Sequence, residues 1–182
     1  MTIIYICPQY AYPVYFETFL NSLKNFFPDE EKKLLLITPH EGMLDSYQNY
    51  SEDNIQIYIK LISNLILFPL EKINLIREFK DEIDDYVFFF NPNTEIISSN
   101  SFTLSQDKLF FGHLENEGEN EFGFGTFFGG KKELMNDLCT FCYQYKFNED
   151  DAHIDETKMK HWIDQNPNKF EYINIGTVYQ IQ

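Results

Sequence analysis

Two asparagines near the middle of the chain have a spacing that suits a binding site. Asn91 and Asn93 flank a proline directly after the apolar run 86–90. In an extended segment, residues two apart point to the same side, so both amides would face one ligand. Amides are neutral and are poor primary ligands for a divalent ion, so we expect no metal here. Taken alone, the pattern favours a turn that closes a strand, with a ligand site as the alternative.

A second candidate is the acidic pair Asp155 and Glu156, at the start of a helix predicted over residues 155–165. The first turn of a helix carries free amide groups and the positive end of the helix dipole, which favour an ionised carboxylate. Such a carboxylate can stabilise or attack a positive charge that develops on a substrate. Acidic residues at a helix start more often only stabilise the helix, so both interpretations stay open.

Aromatic and basic side chains supply further candidates. Tyr10 lies in the loop after the first strand and could stack on a nucleobase, although an aromatic in a chain with 12 Tyr and 19 Phe is more often packing. Positive charge for an anionic ligand could come from four residues that could equally be solvated surface charges: Lys72, Arg77, Lys131 and Lys132. The histidines are too scattered to suggest a triad. The 3 cysteines predict reduced thiols and no zinc site.

The apolar periodicity predicts alternating strands and helices that position these residues. Strands are predicted over 2–7, 33–38, 55–61, 86–90, 108–113 and 122–128, with a terminal strand over 170–175. Helices are predicted over 15–27, 70–83, 131–146 and 155–165, whereas the polar segment 40–54 is predicted to be a surface loop. This order is typical of an α/β fold, in which ligands collect beyond the carboxyl ends of the strands.

The composition excludes some classes of partner. The chain has 14 Lys+Arg against 29 Asp+Glu and a net charge of -15, which repels phosphate backbones and anionic lipids. We therefore expect no nucleic-acid partner. The apolar run at the start is too short for a signal peptide or a membrane span, so we expect a cytoplasmic protein. The length and the lack of a Gly-, Ser- or Pro-rich linker predict a single domain over residues 1–182.

Several of these segments resemble one protein family. The run DYVFFFNPN resembles the strand and Asn-any-Asn motif of bacterial family 6 glycosyltransferases, relatives of the blood-group transferases. The opening YICPQY and FETFLNSLKNFF are similar to that family's first strand and helix. FGFGTFFGG is similar to its Gly-rich donor-sugar strand, and HIDETKMKHW to its Trp-His-Asp-Glu-Ser segment. The shared order of these segments over most of the chain is more specific than any one of them.

The resemblance implies a GT-A fold, a Rossmann-like nucleotide-sugar-binding sheet flanked by helices. It also implies a retaining hexosyltransferase that moves galactose or N-acetylgalactosamine from UDP-Gal or UDP-GalNAc to a glycan hydroxyl, in an alpha-1,3-type linkage. The Asn-any-Asn form implies that neither a metal nor another cofactor is needed. By position, Glu156 would be the catalytic carboxylate. By position, Asn91 and Asn93 would lie at the diphosphate and donor sugar, and Gly125 and Thr126 would line the sugar pocket. Asp155 and Tyr10, the latter stacked on uracil, are further candidates for donor binding.

Three departures from the family's pattern support an alternative. Ile154 stands where the family has His, and the stretch between His113 and Phe122 lacks the aromatic and basic residues of the family's acceptor segment. The basic tail that closes over UDP in relatives is also missing before Gln182. The alternatives are a non-catalytic homologue that binds a UDP-sugar or glycan, and a domain whose site is completed by a partner chain.

Overall fold

The computed structural model describes residues 1–7, 13–62, 75–90, 92–99, 102–113, 127–144, 154–174 and 178–181. Four helices lie within these ranges: α1 (Pro13–Leu23), α2 (Glu41–Tyr47), α3 (Lys132–Gln144) and α4 (Ile154–Gln165). Residues 75–78 form a further helical turn. The strands are β1 (Thr2–Ile6), β2 (Lys32–Thr38), β3 (Ser51–Glu52), β4 (Ile55–Leu61), β5 (Tyr86–Phe90), β6 (Thr94–Ile96), β7 (Leu109–His113), β8 (Phe127–Lys131), β9 (Phe170–Asn174) and β10 (Tyr179–Ile181).

Eight of the strands form one mixed sheet in the order β3-β4-β2-β1-β5-β8-β7-β9. The pairs β4–β2, β2–β1, β1–β5 and β7–β9 are parallel, whereas β3 and β8 run antiparallel to their neighbours. The small strands β6 and β10 form a separate antiparallel pair. The chain therefore has an α/β fold with a mostly parallel sheet, compatible with a Rossmann-like arrangement.

The sheet is buried on both faces because its central strands have no polar alternation. In β5, Phe88 and Phe90 pack on the face covered by α1, while Val87 and Phe89 pack on the other face. That second face is covered by residues 75–83, α3 and α4. Burying one such side chain contributes about 1.5–3 kcal/mol. The absence of alternation in YVFFF thus reflects a strand between two apolar layers.

Within the described residues most predicted elements are confirmed, but three predictions were wrong. Residues 70–74 of one predicted helix and 122–126 of one predicted strand lie outside the described residues. The predicted loop 40–54 contains α2, because Met43 gives this short segment a buried apolar anchor. The strand 170–175 is not terminal, since β10 follows it and pairs with β6, which was not predicted.

The third wrong prediction concerns Gly129 and Gly130, which lie within β8 and not between a strand and a helix. A Cβ atom on Gly129 would lie 2.6 Å from the Cα of Phe88 and would also clash with the Val87 carbonyl oxygen. This glycine is therefore required by the close approach of β5 and β8. In the described residues, no helix is both long and apolar enough to cross a membrane.

Candidate functional site

The strand order has a switch point between β1 and β5, and we call the space beyond the carboxyl ends of these two strands the crevice. From β1 the chain proceeds outward to β2 and β4, and it then returns to form β5 on the other side of β1. The next strand of this sheet after β1 is β2, on one side of the switch point, and the next after β5 is β7, on the other side. In open α/β sheets, ligands bind at such a switch point, beyond the carboxyl ends of the strands. We call this end of the sheet the carboxyl edge and the opposite end the amino edge.

The described part of the asparagine turn (residues 91–93), Pro92 and Asn93, lies at this switch point. Pro92 and Asn93 form a turn after β5, and Asn93 is half-buried, whereas Asn91 lies outside the described residues. The hydroxyl of Tyr5, in β1, donates a hydrogen bond to the Pro92 carbonyl oxygen. Tyr5 is fully buried, and its ring packs against Phe19 with a centroid separation of 4.5 Å. The turn is therefore attached to the most central strand of the sheet.

Burial keeps the hydroxyl of Tyr5 protonated. Desolvation strongly raises the pKa of Tyr5, and the nearby Cys7 adds to the shift. Burial also raises the pKa of Cys7, against a smaller opposite effect of its hydrogen bond with Thr38. Since a phenol with a raised pKa keeps its proton, Tyr5 remains a hydrogen-bond donor to the turn throughout the neutral pH range.

The strand that follows the turn is fixed to α1. The backbone N–H of Ile96 donates to the Ser22 hydroxyl at 2.9 Å, and the Asn25 side-chain amide donates to the Ile96 carbonyl oxygen at 3.0 Å. On its other side β6 pairs with β10, with Thr94 opposite Ile181. Helix α1 begins just after the loop that leaves β1, so one rigid layer links both sides of the crevice.

Within the described part of this layer, Thr94 has an unsatisfied group. It is only 1% exposed, and its hydroxyl has no hydrogen-bond partner. Leaving a buried polar group unpaired costs roughly 1–3 kcal/mol.

Helix α4 brings the predicted acidic pair to the same edge. Met159, Trp162 and Ile163 pack on the sheet, and the helix ends four residues before β9 starts at the amino edge. There the N–H of Leu109 donates to the Lys169 carbonyl oxygen at 2.8 Å. Since α4 ends at the amino edge, it runs antiparallel to β9 and starts toward the carboxyl edge. The backbone of Asp155 and Glu156 lies in its first turn.

Two lysines of the described residues are buried, and they lie in different parts of the fold. Lys32 lies at the amino edge, where its ammonium donates to the carbonyl oxygens of Phe27 at 3.0 Å and Glu30 at 2.9 Å. Burial lowers the pKa of Lys32. Lys158 is 9% exposed and lies in α4, one turn after the acidic pair. Helical side chains tilt toward the N-terminus of their helix, so this lysine leans toward the carboxyl edge.

The cations considered from sequence do not gather at the crevice. Lys131 lies opposite Tyr86, at the start of β5, and pairs with Asp85 at 3.2 Å. Lys132 donates to the Ile83 carbonyl oxygen at 2.8 Å. The length of β5, roughly 13 Å at 3.3 Å per residue, separates both from the described part of the asparagine turn, which favours the alternative of surface charges. Arg77 stacks on Tyr143, 4.7 Å from the ring centroid, and Lys72 lies outside the described residues.

Several predicted site residues cannot be placed. Tyr10, Gly125 and Thr126 lie outside the described residues. Gly125 and Thr126 directly precede Phe127, which pairs with Phe90 at the carboxyl edge. Within the described ranges no three His, Cys, Asp or Glu side chains could together hold a metal ion.

A cavity of about 660 Å³ lies at the amino edge, away from the crevice. Its lining includes Glu31, Glu52, Asp53 and Asp84, and the α-amino group of Met1 lies 3.6 Å from Asp84. Lys32 and Lys33 line it as well, so acidic and basic groups are mixed there. None of the predicted site residues lines this cavity, which is therefore separate from the predicted site.

Sequence reasoning missed Tyr5, Thr94 and Lys158. Tyr5 is one of four apolar residues in β1, and Thr94 follows the asparagine turn without any motif. Lys158 has the ordinary appearance of a helix-surface charge, since only the orientation of α4 buries it. Comparison with protein-family models and with curated proteins gave no match.

Proposed function

We propose that the chain is a metal-independent, retaining glycosyltransferase that takes UDP-Gal or UDP-GalNAc as its donor and a glycan hydroxyl as its acceptor. One observation carries the proposal: the asparagine turn follows β5 at the switch point and is attached to β1 through Tyr5. A diphosphate bound there would meet Asn93, next to the Pro92 carbonyl that Tyr5 holds. The resemblance to bacterial family 6 glycosyltransferases and their GT-A fold supplies the reaction type.

A metal-free site needs another source of positive charge for the departing diphosphate. We assign this role to Lys158, because it is buried and leans toward the carboxyl edge from the helix that carries the acidic pair. In a site that excludes water, an ammonium interacts more strongly with an anion, since water screens the charges less. The net charge of -15 makes such a local cation necessary.

Glu156 is the proposed catalytic carboxylate. When the bond between the anomeric carbon and the UDP oxygen breaks, the electron pair leaves with UDP and positive charge develops on the sugar. A carboxylate on the opposite face can stabilise that charge or form a glycosyl ester, which the acceptor hydroxyl then displaces. Both routes retain the anomeric configuration. The start of α4 at the carboxyl edge supports this assignment.

A second candidate function is a binding module that has no transfer activity. Residues 114–121, LENEGENE, contain no aromatic and no basic side chain, although the family's acceptor segment has both. In that case the chain would bind the UDP-sugar or a glycan and would not turn it over.

The deciding experiment is a calorimetric titration with UDP, UDP-Gal and UDP-GalNAc, each with chelator or with manganese, followed by a transfer and hydrolysis assay. We expect binding that manganese leaves unchanged. A gain of tenfold or more with manganese, about 1.4 kcal/mol, would contradict a metal-free site. Failure to bind any of the three would contradict both candidate functions, whereas binding without turnover would favour the binding module.

The variant Asn93→Asp tests in the same titration whether the asparagine turn belongs to the donor site. A carboxylate at the turn repels the diphosphate in chelator and offers manganese a ligand. We expect Asn93→Asp to bind UDP more weakly than the parent in chelator and to recover affinity with manganese. Equal affinities of the two proteins under both conditions would place the asparagine turn outside the donor site.

A further inference from the structure

The unpaired hydroxyl of Thr94 stands out because the polar groups around it are satisfied. Within the same layer, the Pro92 carbonyl oxygen accepts from Tyr5, and the N–H of Ile96 donates to Ser22. Thr94 itself is 1% exposed and its hydroxyl oxygen has no partner. Its position is the first residue after the asparagine turn.

The fold alone gives no reason for a hydroxyl at this position. Valine has nearly the same shape, prefers the same extended backbone and would bury no unpaired donor. Thr94 and Ile96 lie two residues apart on one face of β6, and Ile96 belongs to the apolar core beneath α1. A valine at 94 would therefore suit the core better than threonine does.

We propose that Thr94 is a ligand-binding residue whose hydroxyl obtains its partner, a diphosphate oxygen, when a UDP ligand enters the crevice. This inference rests on the proposed function, since it takes the asparagine turn as the diphosphate site. A diphosphate oxygen is an acceptor without protons, so it suits a threonine that donates. Because Thr94 is only 1% exposed without a ligand, this contact requires that the turn move when UDP binds. The unpaired hydroxyl thus lowers the stability of the free protein but provides a hydrogen-bond donor for the ligand.

The test compares Thr94→Val with Thr94→Ser, using UDP and uridine as ligands. Thr94→Val removes the hydroxyl and keeps the shape, whereas Thr94→Ser keeps the hydroxyl and loses a methyl group. Calorimetry gives the affinities, and thermal unfolding without ligand gives the stability. We expect Thr94→Val to unfold at a temperature equal to or about 2–4 °C above that of the parent. We also expect it to bind UDP about tenfold more weakly while its affinity for uridine stays within a factor of about two.

Thr94→Ser should retain the affinity of the parent for UDP, although its melting temperature falls because of the lost methyl group. Two results would overturn the inference. If Thr94→Val binds UDP as tightly as the parent, the hydroxyl does not contact the diphosphate. If Thr94→Val unfolds at a clearly lower temperature, the hydroxyl already has a partner within the protein.

A parent protein that binds neither UDP nor a UDP-sugar would remove the proposed function and this inference together. That failure is recognisable from the parent alone. Failure of the inference by itself shows as normal UDP binding in both the parent and Thr94→Val.

Discussion

The hydroxyl of Tyr5 and the carbonyl oxygen of Pro92 are joined by a hydrogen bond that crosses from β1 to the end of β5. It links the neighbouring strands β1 and β5 at their carboxyl ends, where the switch point lies. The bond therefore fixes the backbone of the turn at Pro92 to a side chain of the core.

Removing this bond should weaken both the fold and the site. In Tyr5→Phe the Pro92 carbonyl loses its donor, so we expect the free energy of unfolding in urea to fall by about 1–2 kcal/mol. The affinity for UDP should fall by about threefold or more, because the turn is no longer held. Tyr47→Phe is the matched control, since the hydroxyl of Tyr47 only makes a long contact of 3.4 Å with Glu17. If Tyr5→Phe and Tyr47→Phe have the same effect, Tyr5 has no special role at the turn.

Glu156→Gln should reduce turnover without reducing donor binding. The substitution keeps the size and hydrogen bonding of the side chain but removes the charge that stabilises the developing cation. We expect transfer and hydrolysis of the UDP-sugar to slow by about a hundredfold or more, with donor affinity nearly unchanged. Asp155→Asn, in the same helical turn, is the control and should affect binding or stability instead. Turnover of Glu156→Gln within a factor of about three of the parent would show that another group stabilises the developing cation.

Lys158→Met should reduce the affinity for UDP about tenfold and leave the affinity for uridine unchanged, because only the former carries the diphosphate. The apolar replacement preserves the packing of the buried stem, and Lys158→Arg should recover part of the loss. Lys169→Met serves as a charge control, since its ammonium lies at the opposite end of the helix, 3.9 Å from Asp137. A parallel loss of UDP and uridine binding in Lys158→Met would indicate a structural lysine.

Stability should decrease at alkaline pH. Burial, and then the neighbouring Cys142, raise the pKa of Cys139 from 9.0 to about 12. Above pH 9.0 the unfolded chain therefore releases this proton while the folded chain keeps it. The free energy of unfolding contributed by this thiol is complete below that pH and is lost as the pH rises toward about 12.

Urea unfolding at about pH 8 and about pH 10 measures this effect. We expect the parent to lose about 1 kcal/mol more over that interval than Cys139→Ala, which cannot titrate there. The raised pKa values of Cys7 and Tyr5 act in the same direction in both proteins. Equal losses in the two proteins would mean that the folded chain does not protect the proton of Cys139.

The sequence by itself determined the fold class and the order of most elements. The run YVFFF is stable only between two apolar layers. The change from strand to helix periodicity marks β1, β2 and β4 to within one residue, whereas α1 starts two residues and ends four residues earlier than predicted. The asparagine turn was also visible, since a proline and two amides end an apolar run abruptly. These are local signals, which depend on neighbouring residues alone.

Tertiary structure decided which of the candidate groups lie together. Lys131 and Lys132 follow a glycine pair that resembles a sugar-binding segment, yet the antiparallel direction of β8 carries them to the amino edge. The packing of distant elements also brings Tyr5 to Pro92, 87 residues later in the chain, and buries the Thr94 hydroxyl. No local pattern encodes such contacts, because strand order and strand direction arise only when the apolar faces of distant elements pack together.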